Sequence, residues 1–552
     1  VDSAQNHDGR LRALASSGKS EFQIGNLFDN DRGLVEVGNA AFALASSSLS
    51  NLGGTVRHLG TQGFDLNLAD LGNAGGRFIT NGELNLSAAD WTNTSELQAE
   101  RLTLNIGQFT QAATGQLISR QSITATGDNW VNDGVIATDG SLDLTLSGSY
   151  EGNGALRSLG DLTFKAASAE FGSDAQAKSG GVGRFELSGQ LLNQGRLTAA
   201  QDISLKLGSL DNRGTLGGSG LLRIEGDSLR NEQGLIFSGS DMTLRTTSLV
   251  NLLGDIYSLG ELDVARDETG GELDLLENRS ASIESTGDMT LRAAVLHNRK
   301  DVFDWQLAQT YGGISVVCYD CSGDHHNVDY VATERFEARV EADSASSRIH
   351  SGANLLLSGG EIANRYSVMS AAGDIDIDAD SLENTAATLA SVERVRRYNT
   401  GRVTDGTDER FRANYIYPYN AQPLPKVLPG ALGQWKLVSD IQRETPIGVA
   451  APGIIQAGGD VRIQAAQPIT NESVLAHNAP QAGAEQTLET TVGGASAPLV
   501  VRLNPHLPAD TAQQAVDPIS LPGFSLPQGQ NGLFQTNTDP GHRYLIETNP
   551  AF

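Results

Sequence analysis

Two cysteines separated by two residues stand out among the side chains of this sequence that carry chemistry. Cys318 and Cys321 are its only cysteines, and His325 and His326 follow them closely. Three interpretations stay open: a short-loop disulfide in an exposed insertion, a free dithiol, and a zinc site built from two thiolates and two imidazoles. Adjacent histidines rarely bind one ion together, so we predict a disulfide and no metal site.

Four carboxylates, at Asp374, Asp376, Asp378 and Asp380, alternate with other residues in a second segment. On a strand they would project from one face. Such a row binds calcium or serves acid/base chemistry in a β-helical polysaccharide lyase or hydrolase; alternatively, it is a solvated face that discourages edge pairing. No His or Lys lies beside it in sequence, and nucleophile-elbow and phosphate-loop motifs are absent from the sequence. We therefore predict no enzyme activity and no cofactor.

A third segment, from Ser391 to Arg412, reverses the sign of the charge locally. Six arginines minus four acids give it +2. Arginine and tyrosine are typical of interface hot spots, because both offer large contact area with directed hydrogen bonds. The predicted binding residues are Arg394, Arg396, Arg397, Tyr398, Arg402, Arg410, Phe411, Arg412, Tyr415, Tyr417, Tyr419 and Trp435. The alternative is that they pack this segment against the flank of the rest of the protein.

The element that must position these residues is a repeat of about 20 residues that runs through most of the chain. Each unit has an asparagine corner, a short apolar strand, a Gly-rich turn and a strand with alternating apolar positions. The corners are Asn30, Asn51, Asn73, Asn93, Asn132, Asn193, Asn212, Asn231, Asn251, Asn278, Asn298, Asn364, Asn384 and Asn471. Aligned second strands begin at Ile136, Leu156, Ile236, Ile256, Ile283, Val368 and Ile455. A fixed period of this length indicates a solenoid whose units bury apolar surface only by stacking.

Strands fit this repeat better than helices do. Apolar residues alternate within each unit, as in Leu102-Thr103-Leu104, and 63 glycines would weaken helical repeats. We predict an all-β fold, a right-handed parallel β-helix, with asparagine amides hydrogen-bonded to the asparagines stacked above and below. The alternative is a series of hairpins in a sandwich or propeller.

The charge composition of the chain limits the kinds of binding partner that we expect. The chain has 39 Lys and Arg against 66 Asp and Glu, a net charge of −27. It should therefore repel nucleic acid and anionic membranes. No run of 18 apolar residues predicts a membrane span. We expect an internal fragment of a longer exported protein, because the repeat pattern is already present at Val1 and cysteine is scarce.

Aperiodic segments interrupt the repeat at 299–348 and at 390–453, and a proline-rich tail covers 480–552. The tail contains two strand-like pieces, Leu533-Phe534 and Tyr544-Leu545-Ile546, around a turn at Asp539-Pro540-Gly541. We predict a non-repetitive cap there.

The repeats, with strings such as NEQGLIFSGSDMTLRTTSL, resemble those of filamentous haemagglutinin exoproteins of Gram-negative bacteria. The later part, with VCYDCSGD and NGLFQTNTDPGHRYLIETNPAF, resembles the central region of the contact-dependent growth inhibition effectors named CdiA. These proteins are exported by an outer-membrane two-partner transporter. They form extracellular filaments on the cell surface and recognise a receptor on neighbouring bacteria. The toxin that they deliver lies at the far C-terminus.

The resemblance implies a β-helix stalk over 1–298 and a receptor-binding region over 299–552. The expected receptor is an outer-membrane barrel protein or lipopolysaccharide. No residue-level receptor contacts carry over from the family. The main alternative is a host-directed adhesin of the haemagglutinin type.

Overall fold

The repeat forms a parallel β-solenoid of about 19 turns in the computed structural model of this chain. The structure describes residues 1–70 and 75–475, together with two short strands near the C-terminus. Most central turns contribute three short strands, and residues one turn apart pair in parallel, as Leu197 pairs with Leu216 and Leu216 with Ile236. The predicted parallel β-helix is confirmed.

The strands of the first half are short because each spans one side of a turn. In chain order they are β1 Ala4–Gln5, β2 Arg10–Ala13, β3 Lys19–Gln23, β4 Leu27–Asp29, β5 Leu34–Val37, β6 Ala41–Ser50, β7 Thr55–His58, β8 Phe64–Asp70, β9 Arg77–Thr80, β10 Glu83–Asn93, β11 Glu96–Gln111, β12 Gln116–Asn132, β13 Val135–Thr138, β14 Ser141–Leu146, β15 Ser149–Gly152, β16 Ala155–Ser158, β17 Leu162–Ala166, β18 Ser168–Phe171, β19 Gln176–Ser179, β20 Gly183–Leu187, β21 Gln190–Asn193, β22 Arg196–Ala199, β23 Ile203–Lys206 and β24 Ser209–Asn212.

The second half contains the long strands and the helices. The strands are β25 Thr215–Gly218, β26 Leu222–Glu232, β27 Leu235–Ser238, β28 Met242–Leu252, β29 Asp255–Ser258, β30 Leu262–Ala265, β31 Leu275–Arg279, β32 Ser282–Ser285, β33 Met289–Arg299, β34 Phe303–Asp320, β35 His325–Asp343, β36 Arg348–Ser351, β37 Leu355–Arg365, β38 Val368–Ala371, β39 Ile375–Thr404, β40 Lys436–Ala451, β41 Ile454–Ala457, β42 Val461–Ala465, β43 Thr470–Leu475, β44 Phe534–Thr536 and β45 Ile546–Thr548. The helices are α1 Asp405–Phe411 and α2 Tyr417–Ala421, with a π-helical turn at Arg412–Ile416 and a 3₁₀ turn at Gly430–Gln434.

Inward-facing apolar residues form continuous rows along the solenoid because the turns pair in register. One row contains Leu197, Leu216, Ile236, Ile256, Ile283, Ile349, Met369 and Ile455. A single hydrophobic cluster extends from Ile24 to Leu382. Each fully buried Leu or Ile contributes about 1.5–3 kcal/mol, so neighbouring turns hold each other in place.

The sequence alignment of this row is wrong by one residue at a single turn. Val368 was expected in the row, but it pairs with Arg348 and Ile454, whereas Met369 pairs with Ile349 and Ile455. Both Val368 and Met369 are apolar and buried, so the alternation that sets the register is ambiguous at this point of the sequence.

The asparagine corners form a ladder of side-chain amides, as predicted. From Asn193 to Asn471, nine stacked asparagines are joined by eight hydrogen bonds, each from the Nδ2 of one to the Oδ1 of the next, over 2.7–2.9 Å. Asn93 and Asn132 bond instead to Gln111 and to the Tyr150 hydroxyl. Asn73 lies outside the described residues. The ladder satisfies polar groups in the wall of the solenoid that burial would otherwise leave without partners.

A second ladder explains the Gly-Asp ending of the turns. The carboxylate of Asp161 accepts the backbone N–H of Val182 one turn later at 2.9 Å, and Asp288 accepts that of Asn354 at 2.9 Å. The hydrogen bond from the Val182 N–H is the largest of the effects that lower the pKa of Asp161. A charged acceptor strengthens each such turn-to-turn contact.

One buried carboxylate opposes the stability of the solenoid at neutral pH. Burial, reinforced by the neighbouring Glu284 carboxylate, raises the pKa of Asp255 to about 7. A carboxyl with a raised folded-state pKa costs no stability below its unfolded pKa. It destabilises progressively as pH rises from about 4 to about 7, because in this range the unfolded chain ionises while the folded protein keeps the carboxyl protonated.

We therefore expect Asp255→Asn to stabilise the protein at pH 8, with the difference from wild type vanishing at pH 4. The gain should be on the order of 1 kcal/mol, since a buried amide also needs hydrogen-bond partners. Chemical denaturation at both pH values measures it. Asp139→Asn, at an exposed turn position, is the matched control and should show no such pH dependence. An equal effect of both substitutions would contradict the assignment.

The C-terminal prediction is only partly within the described residues. Phe534–Thr536 and Ile546–Thr548 pair as antiparallel strands, with Phe534 opposite Thr548. The second strand begins two residues later than the expected start at Tyr544. The rest of the expected cap over 480–552 lies outside the described residues.

Candidate functional site

Both insertions leave the solenoid at the same corner of the repeat. In an uninterrupted turn the next strand begins three or four residues after the asparagine, as at Arg196 after Asn193 and at Ser282 after Asn278. After Asn298 the equivalent strand begins only at Arg348, and after Asn384 only at Ile454. One uninterrupted turn lies between these two corners, so the insertions emerge about 10 Å apart at ~4.8 Å per turn.

Strand pairing joins the two insertions into one antiparallel sheet in the order β34, β35, β39, β40. β39 runs out of the solenoid wall and lies between β35, where Tyr330 faces Tyr398, and β40, where Arg394 faces Gln442. We call the unit formed by 303–343 and 387–451 the lateral subdomain. The sequence predicted the two insertions, at 299–348 and 390–453, but not that they form one unit.

A helical layer covers one face of this sheet and gives the lateral subdomain its own core. The buried residues of this core are Ile314, Val328, Tyr330, Ala332, Phe411, Ile416, Tyr419 and Leu432. The Tyr330 ring, from the first insertion, stacks on Phe411, from the second, at a centroid distance of 5.0 Å. This core is separate from the solenoid core, so the lateral subdomain is a second packed unit.

A fully buried carboxylate links the two insertions. Asp408, on α1, accepts hydrogen bonds from the Tyr330 hydroxyl at 2.5 Å, from His326 Nδ1 at 2.9 Å and from Arg412 Nε at 2.9 Å. Burial acts to raise the pKa of Asp408, but these hydrogen bonds and the Arg412 charge outweigh it and hold the pKa below its ordinary value. Asp408 was not among the residues selected from the sequence.

Four of the predicted binding arginines form ion pairs within the lateral subdomain. Arg396 pairs with Glu334 and Arg397 with Asp329, both acids of the first insertion. The Arg394 Nε lies 2.8 Å from Asp440 on β40 and lowers the pKa of that carboxyl. Arg412 pairs with Asp408. These pairs neutralise the positive charge that the sequence indicated locally.

The other predicted binding residues divide between core and surface. Phe411 and Tyr419 are buried, and Tyr398 and Trp435 pack against the same core. Arg402 and Arg410 are exposed, with Arg410 donating to the Gly406 carbonyl. Tyr415 and Tyr417 are 41% and 59% exposed. Among the aromatic candidates, these two are the ones most available to a partner.

The sequence analysis missed a set of exposed apolar residues on β40. They are Leu437, Val438, Ile441, Ile447 and Val449. Nearly the whole strand is exposed on both of its faces. No regular alternation marks these residues in the sequence KLVSDIQRETPIGVAA, and the sequence prediction rested on arginine and tyrosine, which this set does not contain.

The cysteine segment lies at the tip of the β34–β35 hairpin. Cys318 and Cys321 are joined in a disulfide, with a Cα–Cα distance of 6.1 Å. His326 bonds to Asp408 and His325 to Asp324, so neither imidazole is turned to the sulfurs. The arrangement closes the hairpin tip.

The aspartate row projects from the outer face of the solenoid, where Asp378 and Asp380 are exposed. Asp374 accepts the backbone N–H of Asp460 at 2.8 Å and pairs with Arg462 at 2.9 Å. Both contacts, the backbone N–H first, lower the pKa of Asp374. Asp376 also pairs with Arg462. Asp374 and Asp376 therefore bind the next turn, whereas Asp378 and Asp380 face solvent.

Among the described residues, no helix combines the length and apolarity that crossing a membrane requires. The haemagglutinin repeat family model matches residues 173–293, 258–304, 326–393 and 431–483. No solved structure matches the chain.

Several curated proteins are similar to this chain. A tRNA nuclease CdiA of Yersinia mollaretii is 25% identical over 95% of this chain and 20% of its own length. A tRNA nuclease CdiA of Escherichia coli is 27% identical over 98% of this chain and 21% of its own length. A deoxyribonuclease CdiA of Dickeya dadantii is 27% identical over 57% of this chain and 10% of its own length. The chain thus spans about a fifth or less of these relatives.

Proposed function

This chain is a haemagglutinin-repeat segment of the CdiA type, and we propose that it is a non-catalytic part of an exported surface filament. In this proposal the solenoid is a spacer, and the region from residue 299 onward recognises an outer-membrane component of neighbouring Gram-negative bacteria. The observation that carries the proposal is the lateral subdomain, because two separate insertions at one corner build a second core beside an otherwise uniform rod.

The geometry of the rod supports a spacer. About 19 turns at ~4.8 Å of rise each give a length on the order of 90 Å. Continuous parallel pairing and the asparagine ladder stiffen the rod. A stiff rod can hold a recognition surface away from the surface of its own cell, which a flexible linker of the same length would not do.

In this proposal, this segment has no catalytic role. The relatives are named as nucleases, but this chain corresponds to a fifth or less of their length. The aspartate row, which was the enzyme-like candidate, binds Arg462 and the backbone of the next turn. We infer that toxin activity, and export through an outer-membrane transporter, are properties of the longer protein.

The test removes the lateral subdomain and keeps the rod. Deleting 300–345 and 387–452 leaves Arg348 four residues after Asn298 and Ile454 four residues after Asn384, the spacing of an uninterrupted turn. We expect the deletion variant to keep the circular dichroism of a β-solenoid and to lose binding to Gram-negative target cells by roughly tenfold or more, a change of at least ~1.4 kcal/mol. Flow cytometry with labelled protein measures it.

Lys206→Ala, at an exposed solenoid position, serves as the control and should bind like wild type. Undiminished binding by the folded deletion variant would overturn the proposal. Binding of wild type to host cells but not to bacteria would favour the adhesin alternative instead.

A further inference from the structure

The two edge strands of the sheet in the lateral subdomain, β34 and β40, differ in how far other residues cover them. At the β34 edge, the Asn420 side chain accepts the Ile314 N–H and donates to the Ile314 carbonyl, each at 2.8 Å. Nearby, Gln309 accepts the Lys426 N–H at 2.7 Å. The second insertion therefore lies against this edge and occupies the Ile314 backbone groups that a further strand would need.

The opposite edge is β40. In the part of the chain that the structure describes, β40 pairs along its length with β39 alone. It is 16 residues long and exposed on both faces. Protein sheets usually blunt such edges with short strands, bulges, charges or a covering element. Register shifts interrupt the β39–β40 pairing near both ends of β40, but the stretch from Ser439 to Thr445 pairs regularly. This stretch leaves an uncovered edge of the kind that accepts another strand.

The direction of the backbone groups on β40 follows from Pro446. Pro446 faces Ala390 in the ladder but has no N–H to donate, so this is a non-hydrogen-bonded pair whose β40 amide position points away from β39. Pairing is regular from Thr445 to Ser439. Gln442 and Asp440 have the same parity as Pro446, so their N–H groups also point to the outer edge.

Resting on the proposed function, we propose that β40 binds an extended polypeptide segment of a protein on the target-cell surface by strand addition. The outward N–H and C=O groups form the hydrogen bonds of a new ladder. The apolar side chains of β40, exposed on both faces, supply the contacts that select the partner.

Charge favours a polypeptide over a lipopolysaccharide phosphate. The arginines of β39 that face β40 are Arg394, Arg396 and Arg397, and all three already pair with carboxylates of the lateral subdomain. The exposed Arg402 and Arg410 lie outside the β39–β40 ladder. β40 itself carries two basic and two acidic residues in the sequence KLVSDIQRETPIGVAA. A phosphate-binding surface would present unpaired cations, whereas a balanced, partly apolar edge fits a neutral polypeptide strand.

The test distinguishes the contribution of a backbone N–H to binding from that of the side chain, at one position of the full chain. Gln442→Pro removes an outward N–H and places a ring on the edge, while its φ stays within the range of strands. Gln442→Ala is the matched control, because it removes the side chain and keeps the N–H. We expect Gln442→Pro to weaken binding to outer-membrane vesicles by roughly tenfold, equivalent to ~1.4 kcal/mol, and Gln442→Ala to bind like wild type.

Thermal unfolding and hydrogen exchange keep the test decisive. Gln442→Pro should melt like wild type, because its N–H does not bond to β39, and vesicles should slow exchange of the wild-type amides at Asp440 and Gln442. If Gln442→Pro melts early, this slowing of exchange in wild type decides the question alone. Equal binding by both variants, equal loss in both, or unchanged amide exchange would overturn strand addition.

Further measurements identify the molecule that binds to β40. Protease treatment of the vesicles should abolish binding, and vesicles of purified lipopolysaccharide should not bind. Binding to the latter would overturn the polypeptide assignment. Self-association of wild type that Gln442→Pro abolishes, with vesicle binding intact, would make the edge an interface between copies. If wild type binds no bacterial vesicle at all, the proposed function fails, whereas failure of the variants' pattern alone leaves that function standing.

Discussion

Asp408→Asn is expected to unfold the lateral subdomain while the solenoid stays folded. Asp408 is fully buried and holds Tyr330, His326 and Arg412 through one carboxylate. An asparagine of the same shape would turn an NH₂ group toward one or more of these donors and leave the Arg412 charge without its partner. Breaking a buried charge pair in this way costs about 3 to 5 kcal/mol, a large part of the stability of a small unit.

Hydrogen exchange resolved by segment measures this result. Amides of β34, β35, β40 and the outer part of β39 should exchange faster by a factor of about 100 or more, consistent with a loss of about 3 kcal/mol. Amides of β25 to β29 should be unchanged. Glu409→Gln, an exposed neighbour on α1, is the control. Equal protection in Asp408→Asn and wild type would show that Asp408 does not join the two insertions.

The pH dependence of the lateral subdomain follows from the same group. The folded-state pKa of Asp408 is below its ordinary value of 3.8. Its contribution is therefore fully present above the unfolded pKa and is lost as pH falls through the folded pKa. We expect wild type to retain the lateral subdomain from neutral pH to about 4 and to lose it in stronger acid before the solenoid core melts.

Asn231→Asp is expected to break the asparagine ladder and to destabilise the surrounding turns. Asn231 accepts from Asn212 at 2.7 Å and donates to Asn251 at 2.9 Å and to the Gly234 carbonyl at 3.0 Å. An ionised carboxylate there would face three acceptors, since the Asp255 carbonyl also accepts from Asn231, and it would carry a buried, uncompensated charge. We expect a loss on the order of 3 to 5 kcal/mol at pH 7.

Denaturant unfolding at two pH values tests this prediction. Protonation of the new carboxyl removes its charge, so the loss should be smaller at pH 4 than at pH 7. Asn67→Asp makes the same chemical change at an exposed position of β8 and should stay within about 0.5 kcal/mol of wild type. A similar small effect at Asn231 would mean that the ladder contributes little.

Much of the solenoid could be predicted because its information is local and repeated. Each Asn corner, each Gly-Asp turn and each alternating strand specifies the same turn, and stacking in register then follows from burying the apolar row. The one misplaced position, Val368, has an apolar neighbour at Met369, so the alternation could not select the inward residue.

The lateral subdomain could be predicted only in part. Its two insertions were visible as breaks in the period, and their common position after Asn298 and Asn384 is also present in the sequence. That they pair with each other was not, because β35 and β39 are separated by a full turn of repeat. The roles of Phe411 and Tyr419 changed for the same reason, since the surface that buries them belongs to the other insertion.

The sequence by itself determined the rod. Each unit of about 20 residues has an apolar face and a polar asparagine corner. Stacking the units buries the apolar faces and gives the corner amides their hydrogen-bond partners. Only the tertiary structure decided which charged side chains of the lateral subdomain form ion pairs and which edge of its sheet is covered. Ion pairing such as Arg396 with Glu334 and the coverage of β34 by Asn420 are contacts between residues far apart in the chain. Such contacts depend on which insertions meet in space, and composition cannot specify that.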